Sequence, residues 1–160
     1  MHPTKNTLPA KSRARIIEIL QPLVVDSIDL YTQIKHAHWN VKGPNFLTLH
    51  ELFDDIAKDA IEWGDVMAER IVQLGGTADG TARIVAKHSS LREYPVKAAR
   101  ASEHIAAVSD RLAAFGASVR EAIDSCDKAG DNDAADICTG ISRAVDKHLW
   151  FVESHHARFA

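Results

Sequence analysis

The sequence predicts an all-α protein, one bundle of four long helices interrupted by a single long crossover. Three observations carry this reading. Apolar residues recur at steps of three and four over nearly the whole chain. No segment shows the period-two alternation of a strand with one buried face, and Gly or Pro clusters punctuate the pattern at only a few places. The size agrees: 160 residues, 46% of them hydrophobic, suffice for one proper core, and a charged share of 26% is ordinary for a folded domain. A single domain over residues 1–160 is therefore expected.

Helix A reads from about residue 12 to 42, with Ile16, Leu20, Leu23, Leu30, Ile34, His38 and Val41 near one face and Gly43-Pro44 as its stop. Pro22 removes a backbone donor inside this pattern, which predicts a kink or a late start. Helix B follows a candidate cap at Asn45. It carries Phe46, Leu49, Phe53, Ile56, Ala60, Met67, Ile71 and Leu74, and ends at Gly75-Gly76. Ile105, Val108, Leu112, Phe115, Val119 and Ile123 mark helix C, about 96–128. Ile137, Ile141, Val145, Leu149 and Val152 mark helix D, about 132–155. A to B and C to D are joined by only a few residues, which makes each pair an antiparallel hairpin. B to C spans about twenty residues, 75–95, enough to travel the length of a ~45 Å helix with a short helical turn near 81–87. Two hairpins joined by one long crossover form the ferritin-like four-helix arrangement.

Composition narrows the function classes. No apolar run approaches the ~20 residues of a membrane span, and the N-terminal region lacks the apolar stretch of a secretory signal, so the chain reads as cytoplasmic. Cys126 and Cys138 lie in helical patterns without CxxC spacing and read as buried free thiols. A net charge of −3 argues against generic nucleic-acid binding by the body. Lys5, Lys11, Arg13 and Arg15 all precede the first acidic residue, Glu18, however, so residues 1–11 read as a flexible cationic tail.

Helix B carries a second stripe, His50, Asp54, Asp65 and Glu69. The pairs His50/Asp54 and Asp65/Glu69 each stand at i,i+4, on one face and close enough to share a cation. Carboxylates with imidazoles and open positions suit non-haem iron that must react with an oxidant. Asp54 and Asp65 cannot share an ion within one helix, since eleven residues separate them by about 16 Å. The two pairs are placed symmetrically about Asp59-Ala60, so a second copy of helix B packed antiparallel there would bring the halves together. His38, across the A–B hairpin, would add a second imidazole. The bland alternatives are a solvated helix face for either pair and a core histidine bonded to a carbonyl for His38. Gly64 in mid-helix hints at tight packing.

The run His38-Trp39-Asn40, the segment GPNFLTLHELFDD at 43–55 and DVMAERIVQLGGTADG at 65–80 closely resemble the signature of the Dps family of mini-ferritins. The similarity continues through ADI and SRAVDKHLWFVE, within 135–153. The resemblance implies an iron-oxidising centre of His, His and Asp from one subunit with Asp and Glu from another. His38, His50, Asp54, Asp65 and Glu69 match these as metal ligands and catalytic residues. It further implies a hollow dodecamer storing ferric iron, hydrogen peroxide as preferred oxidant, protection of DNA, no organic cofactor, and iron entry through acidic pores. Asp131, Asp133 and Asp136 match the pore region, with Asn132 where some members carry a carboxylate; capping of helix D is their other role. Trp39 is a candidate electron donor, with ordinary packing as its alternative. Classical ferritins use Glu-x-x-His motifs inside the bundle, and only the terminal Glu153-His156 has that spacing here.

Two other readings stand beside this one. Direct DNA binding at the nucleoid would use Lys5, Lys11, Arg13 and Arg15, many weak tails adding through multivalency, although Arg13 and Arg15 lie close enough to helix A to fold into its first turn. An inert helical assembly predicts no metal on helix B.

Overall fold

The computed structural model describes residues 1–156, along which five helices follow one another: α1 (Ala10–Asn40), α2 (Phe46–Gln73), α3 (Ala82–His88), α4 (Ala101–Lys128) and α5 (Asn132–Glu153). The four long helices are the expected A to D, and α3 is the short helix expected in the crossover. No strand occurs among the described residues.

Contacts that step in opposite directions along two helices define each hairpin. Between α1 and α2, Ser27 donates to the Ala60 carbonyl, Lys35 meets Asp54, and His38 meets His50. Between α4 and α5, Gly116 lies against Val145, where a Cβ would stand 3.0 Å from a valine methyl, and Arg120 bonds Asp146 at 2.7 Å. The crossover climbs beside α1. Gln21 exchanges hydrogen bonds with Asp79, the buried Asp26 accepts from Ser89 and Ser90, and Gln33 donates to the Arg92 carbonyl. A buried carboxylate needs such donors, and Asp26 fixes the crossover by taking them. Arg111 of α4 then reaches Gln33 at 3.1 Å, tying the second hairpin to the first.

The predicted apolar faces form one core, with Phe53, Phe115, Ile16, Leu20, Leu30 and Leu112 fully enclosed. Each such side chain contributes about 1.5–3 kcal/mol by leaving water. Ile123, Ile137 and Leu149 pack partly buried against that core, and Phe46 is the exposed exception. As the first residue of α2 it stands above the core and stays 43% exposed.

Several local expectations change. α4 starts at Ala101 rather than near 96, because the Glu103 carboxylate accepts from the N–H groups of Ala99 and Arg100 and fixes the first turn there. α1 runs through Pro22 without a late start; Pro22 lies on the exposed side, where the carbonyl it leaves unpaired meets water. Asn45 occupies the cap position of α2 but its side chain makes no cap bond; a Phe46 to Gly43 backbone turn closes the loop instead. Gly64 is not tightly packed within the chain, since an added Cβ would meet Ser27 at an ordinary 3.5 Å. Finally, α1 begins at Ala10, so Lys11, Arg13 and Arg15 are helical, and the segment before it bonds to the end of α2 through His2 and Thr4.

Candidate metal centre on α2

The short loop between α1 and α2 sets the last turn of one helix beside the first turns of the next. His38 and His50 consequently stack, with ring centroids 3.7 Å apart. Each ring bonds the other residue's backbone through Nδ1: His38 Nδ1 to the His50 carbonyl at 2.7 Å, and His50 Nδ1 to the His38 carbonyl at 2.9 Å. A carbonyl only accepts, so both Nδ1 atoms carry hydrogen and both Nε2 lone pairs remain for a cation. Such carbonyl bonds are how proteins orient metal-binding imidazoles. His38 thus combines the two roles read from the sequence, a carbonyl-bonded histidine and a potential ligand. Its Nε2 lies 4.0 Å from Asp54 Oδ1.

Asp54, one turn beyond His50, is held by two ammonium groups that the sequence reading missed. Lys35 Nζ is 2.7 Å from Oδ1 and Lys58 Nζ is 2.9 Å from Oδ2. Their hydrogen bonds, Lys35's first, keep the Asp54 carboxyl well below the usual carboxylate range. Asp54 is therefore anionic at any physiological pH, and a metal must displace an ammonium to take it. Lys58 was visible as an i,i+4 neighbour on the same helix; Lys35 becomes visible only once the hairpin register is known.

Asp65 and Glu69 lie three turns further along α2 and are exposed. The structure brings His38, His50 and Asp54 to one end of the stripe and leaves Asp65 and Glu69 at the other. Among the described residues, no three His, Cys, Asp or Glu side chains are gathered closely enough to hold a metal. The same outer face carries exposed apolar side chains: Leu47 is 61% exposed, Ile61 42% and Val72 47%. Leu47, His50, Asp54, Ile61, Asp65 and Val72 follow one another at helical spacing, so ligands and apolar groups alternate along one surface ridge.

A ferritin-like domain model matches residues 17–160. The DNA protection during starvation protein (Dps) of Agrobacterium fabrum (strain C58) is 43% identical over 154 residues, covering 96% of this chain and 95% of that protein. This chain belongs to the Dps family. The protein of that name from Brevibacillus brevis is 31% identical, with 85% of this chain and 91% of that one covered. Among solved structures, Dps of Mycobacterium smegmatis in its tetragonal form superposes with a TM-score of 0.91 at 28% identity, covering 97% and 93% of the two chains. Dps of Microbacterium arborescens in its high iron form gives 0.86 at 33%, covering 95% and 97%.

The other expected positions in this Dps-family chain divide by burial. Asp131 is enclosed: it bonds Arg70 through both oxygens and caps α5 by accepting from Ala134 N–H at 3.1 Å. Only Asp133, which also lies 3.3 Å from Arg70, and Asp136 face outward. Trp39 is 68% exposed beside Lys35, so it is not packed in the bundle. Arg13 turns inward, donating to the carbonyls of Leu8 at 3.1 Å and Leu74 at 3.0 Å. Arg15 is exposed and pairs with Glu18, and Lys5 and Lys11 are also exposed. No described helix is long and apolar enough to cross a membrane.

Proposed function

We propose that this Dps-family chain is a ferroxidase that oxidises ferrous iron at sites completed between two copies of α2 and stores the ferric product inside a hollow homododecamer. The observation that carries it is the outer ridge of α2. Two partial ligand sets sit symmetrically about Asp59-Ala60, and exposed Leu47, Ile61 and Val72 lie on the same face. An antiparallel copy would cover those apolar groups and set His38, His50 and Asp54 of one chain opposite Asp65 and Glu69 of the other.

Iron enters as substrate. His38 and His50 offer Nε2 atoms held in place by reciprocal carbonyl bonds, Asp54 supplies a permanent negative charge, and the second copy's carboxylates complete neutralisation. Two ferrous ions give one electron each to a hydrogen peroxide molecule, which takes up two protons and leaves as two waters. Spending peroxide in this two-electron step withholds it from one-electron chemistry that damages DNA. Asp133 and Asp136 offer exposed carboxylates for iron entry, and Trp39, exposed beside His38, is placed to give up an electron to stray oxidant. Asp65→Ala with Glu69→Ala tests the reading: the assembly should persist while fast ferrous oxidation disappears. Unchanged oxidation rates would refute the assignment.

A second activity, direct DNA binding, is favoured by the exposed Lys5 and Lys11. Arg13 is withdrawn from it by its carbonyl bonds. Gel retardation that weakens with added salt, and with Lys5→Ala and Lys11→Ala, is expected; salt-insensitive retardation would count against it.

A further inference from the structure

Tyr94 lies in the crossover shortly before α4 and is buried. Its hydroxyl stands 2.7 Å from Nδ1 of His104, which is fully enclosed in the first turn of α4. This is the one hydrogen bond that the phenol makes among the described residues, and His104 Nε2 meets no protein partner there. The phenol is therefore the donor. Were Nδ1 to donate instead, the phenolic hydrogen and the Nε2 lone pair would both be buried unpaired, whereas a phenol that donates leaves only the Nε2 hydrogen so. Burial holds the Tyr94 phenol well above its ordinary range and the His104 imidazole below its own, so at physiological pH the phenol is protonated and the imidazole neutral.

The surroundings decide what such a pair can do. The Arg111 guanidinium lies over the Tyr94 ring, 5.7 Å from its centre, and is itself fixed by Gln33 and the Glu93 carbonyl. A cation is drawn to an electron-rich ring and repelled by a positive one, so Tyr94 loses an electron far more readily when the phenolic proton leaves with it. His104 Nδ1 is a base already in contact with that proton. Tyr94 also lies on the wall of two clefts, of about 870 and 400 Å³, which admit small solutes to it while His104 stays enclosed.

We propose that Tyr94 and His104 form a radical sink, in which Tyr94 gives one electron to a small oxygen-centred radical of the peroxyl class and His104 takes the phenolic proton. The phenol O–H bond breaks and an N–H bond forms at Nδ1, leaving a neutral phenoxyl radical beside an imidazolium. The peroxyl radical, reduced to a hydroperoxide anion, takes a proton from water. A thiol or a ferrous ion then returns one electron to the phenoxyl, and the proton moves back from Nδ1 to the oxygen. In sum, one peroxyl radical, one electron and one proton give one hydroperoxide, with Tyr94 and His104 restored. No large movement is needed, because the bond that the proton crosses is already made. The α2 centre would spend oxidant two electrons at a time; this pair takes the odd electron.

The test uses assembled, iron-free protein, so its outcome is independent of the α2 centre. Azide radicals made by pulse radiolysis supply a small one-electron oxidant, and time-resolved absorbance with electron paramagnetic resonance identifies the radical formed. Tyr31 is the only other tyrosine, so the Tyr31→Phe chain reports on Tyr94 alone. A tyrosyl radical should form in that chain, and several-fold more slowly in heavy water, because a proton moves with the electron. His104→Gln keeps a hydrogen-bond acceptor for the phenol without a base, and should slow the growth of the radical by roughly 100-fold. A bond that only pins the crossover to α4 predicts neither effect. Absence of a tyrosyl radical in Tyr31→Phe, a rate there indifferent to heavy water, or an unchanged rate in folded His104→Gln overturns the proposal. The first two decide the question even if His104→Gln fails to fold.

Discussion

The Lys35 ammonium lies 2.7 Å from Asp54 Oδ1, the same oxygen that stands 4.0 Å from His38 Nε2. A protein cation therefore occupies the carboxylate that the proposed centre would offer to a metal. Replacing Lys35 by Met removes this competitor without altering any ligand. Calorimetric titration with Co²⁺, which oxygen does not rapidly oxidise, should show several-fold tighter binding in Lys35→Met. Weaker binding would mean that Lys35 holds Asp54 in its binding position rather than competing for it.

The stacked imidazoles yield a second prediction. His38→Ala and His50→Ala each delete a candidate ligand and the ring stacked on the other imidazole, while the backbone carbonyl at the substituted position still holds the remaining ring. Outer-sphere losses alone cost roughly 10–100-fold in metal affinity, and loss of a ligand should cost at least as much in the rate of fast ferrous oxidation. Stopped-flow absorbance reads this directly. Folding should suffer by only about 1 kcal/mol for each lost hydrogen bond, so far-UV circular dichroism should be unchanged.

Arg70 and Asp131 form a buried ion pair, with side chains 9% and 1% exposed. Removing one partner strands the other, which costs about 3–5 kcal/mol in comparable sites. Arg70→Met should therefore lower stability to denaturant by that order, and Asp131→Asn added to it should recover part of the loss. Additive losses in the double variant would show that the two side chains stabilise the fold separately.

Glu103 supplies the pH dependence. Hydrogen bonds from the N–H of Ala99, the N–H of Arg100 and the Arg100 side chain bring its pKa from 4.5 down to about 2. A depressed carboxylate stabilises the folded state above its unfolded pKa, and that contribution is lost as pH falls through the folded value. Glu103→Gln should thus lower Tm at pH 7, and the gap should narrow as pH falls from 4.5 toward 2. A gap independent of pH would show that the carboxylate charge is immaterial to the cap.

The helices were legible because their buried faces repeat at the helical period, and burial at Leu20, Phe53, Leu112 and Val145 follows that pattern residue by residue. The start of α4 was not, since Val96 continues an apolar pattern while the deciding element is the reach of Glu103 back to two N–H groups. His38, His50 and Asp54 could be grouped because a loop so short leaves one way to pair the helices. Lys35 at Asp54 and Arg13 at the end of α2 escaped notice, being long side chains whose partners are set by tertiary register rather than by spacing. Asp65 and Glu69 would join the proposed centre only through the symmetry of α2 about Asp59-Ala60.

Complementation tests that symmetry most directly. A chain carrying His50→Ala and Asp54→Ala keeps Asp65 and Glu69, while a chain carrying Asp65→Ala and Glu69→Ala keeps His38, His50 and Asp54. Each alone should lack fast ferrous oxidation. Co-assembled at random in equal amounts, half the dimers would be mixed with one complete site in two, so about a quarter of the natural rate should return. No recovery in assemblies shown by native mass spectrometry to contain both chains would contradict a centre shared between two copies of α2.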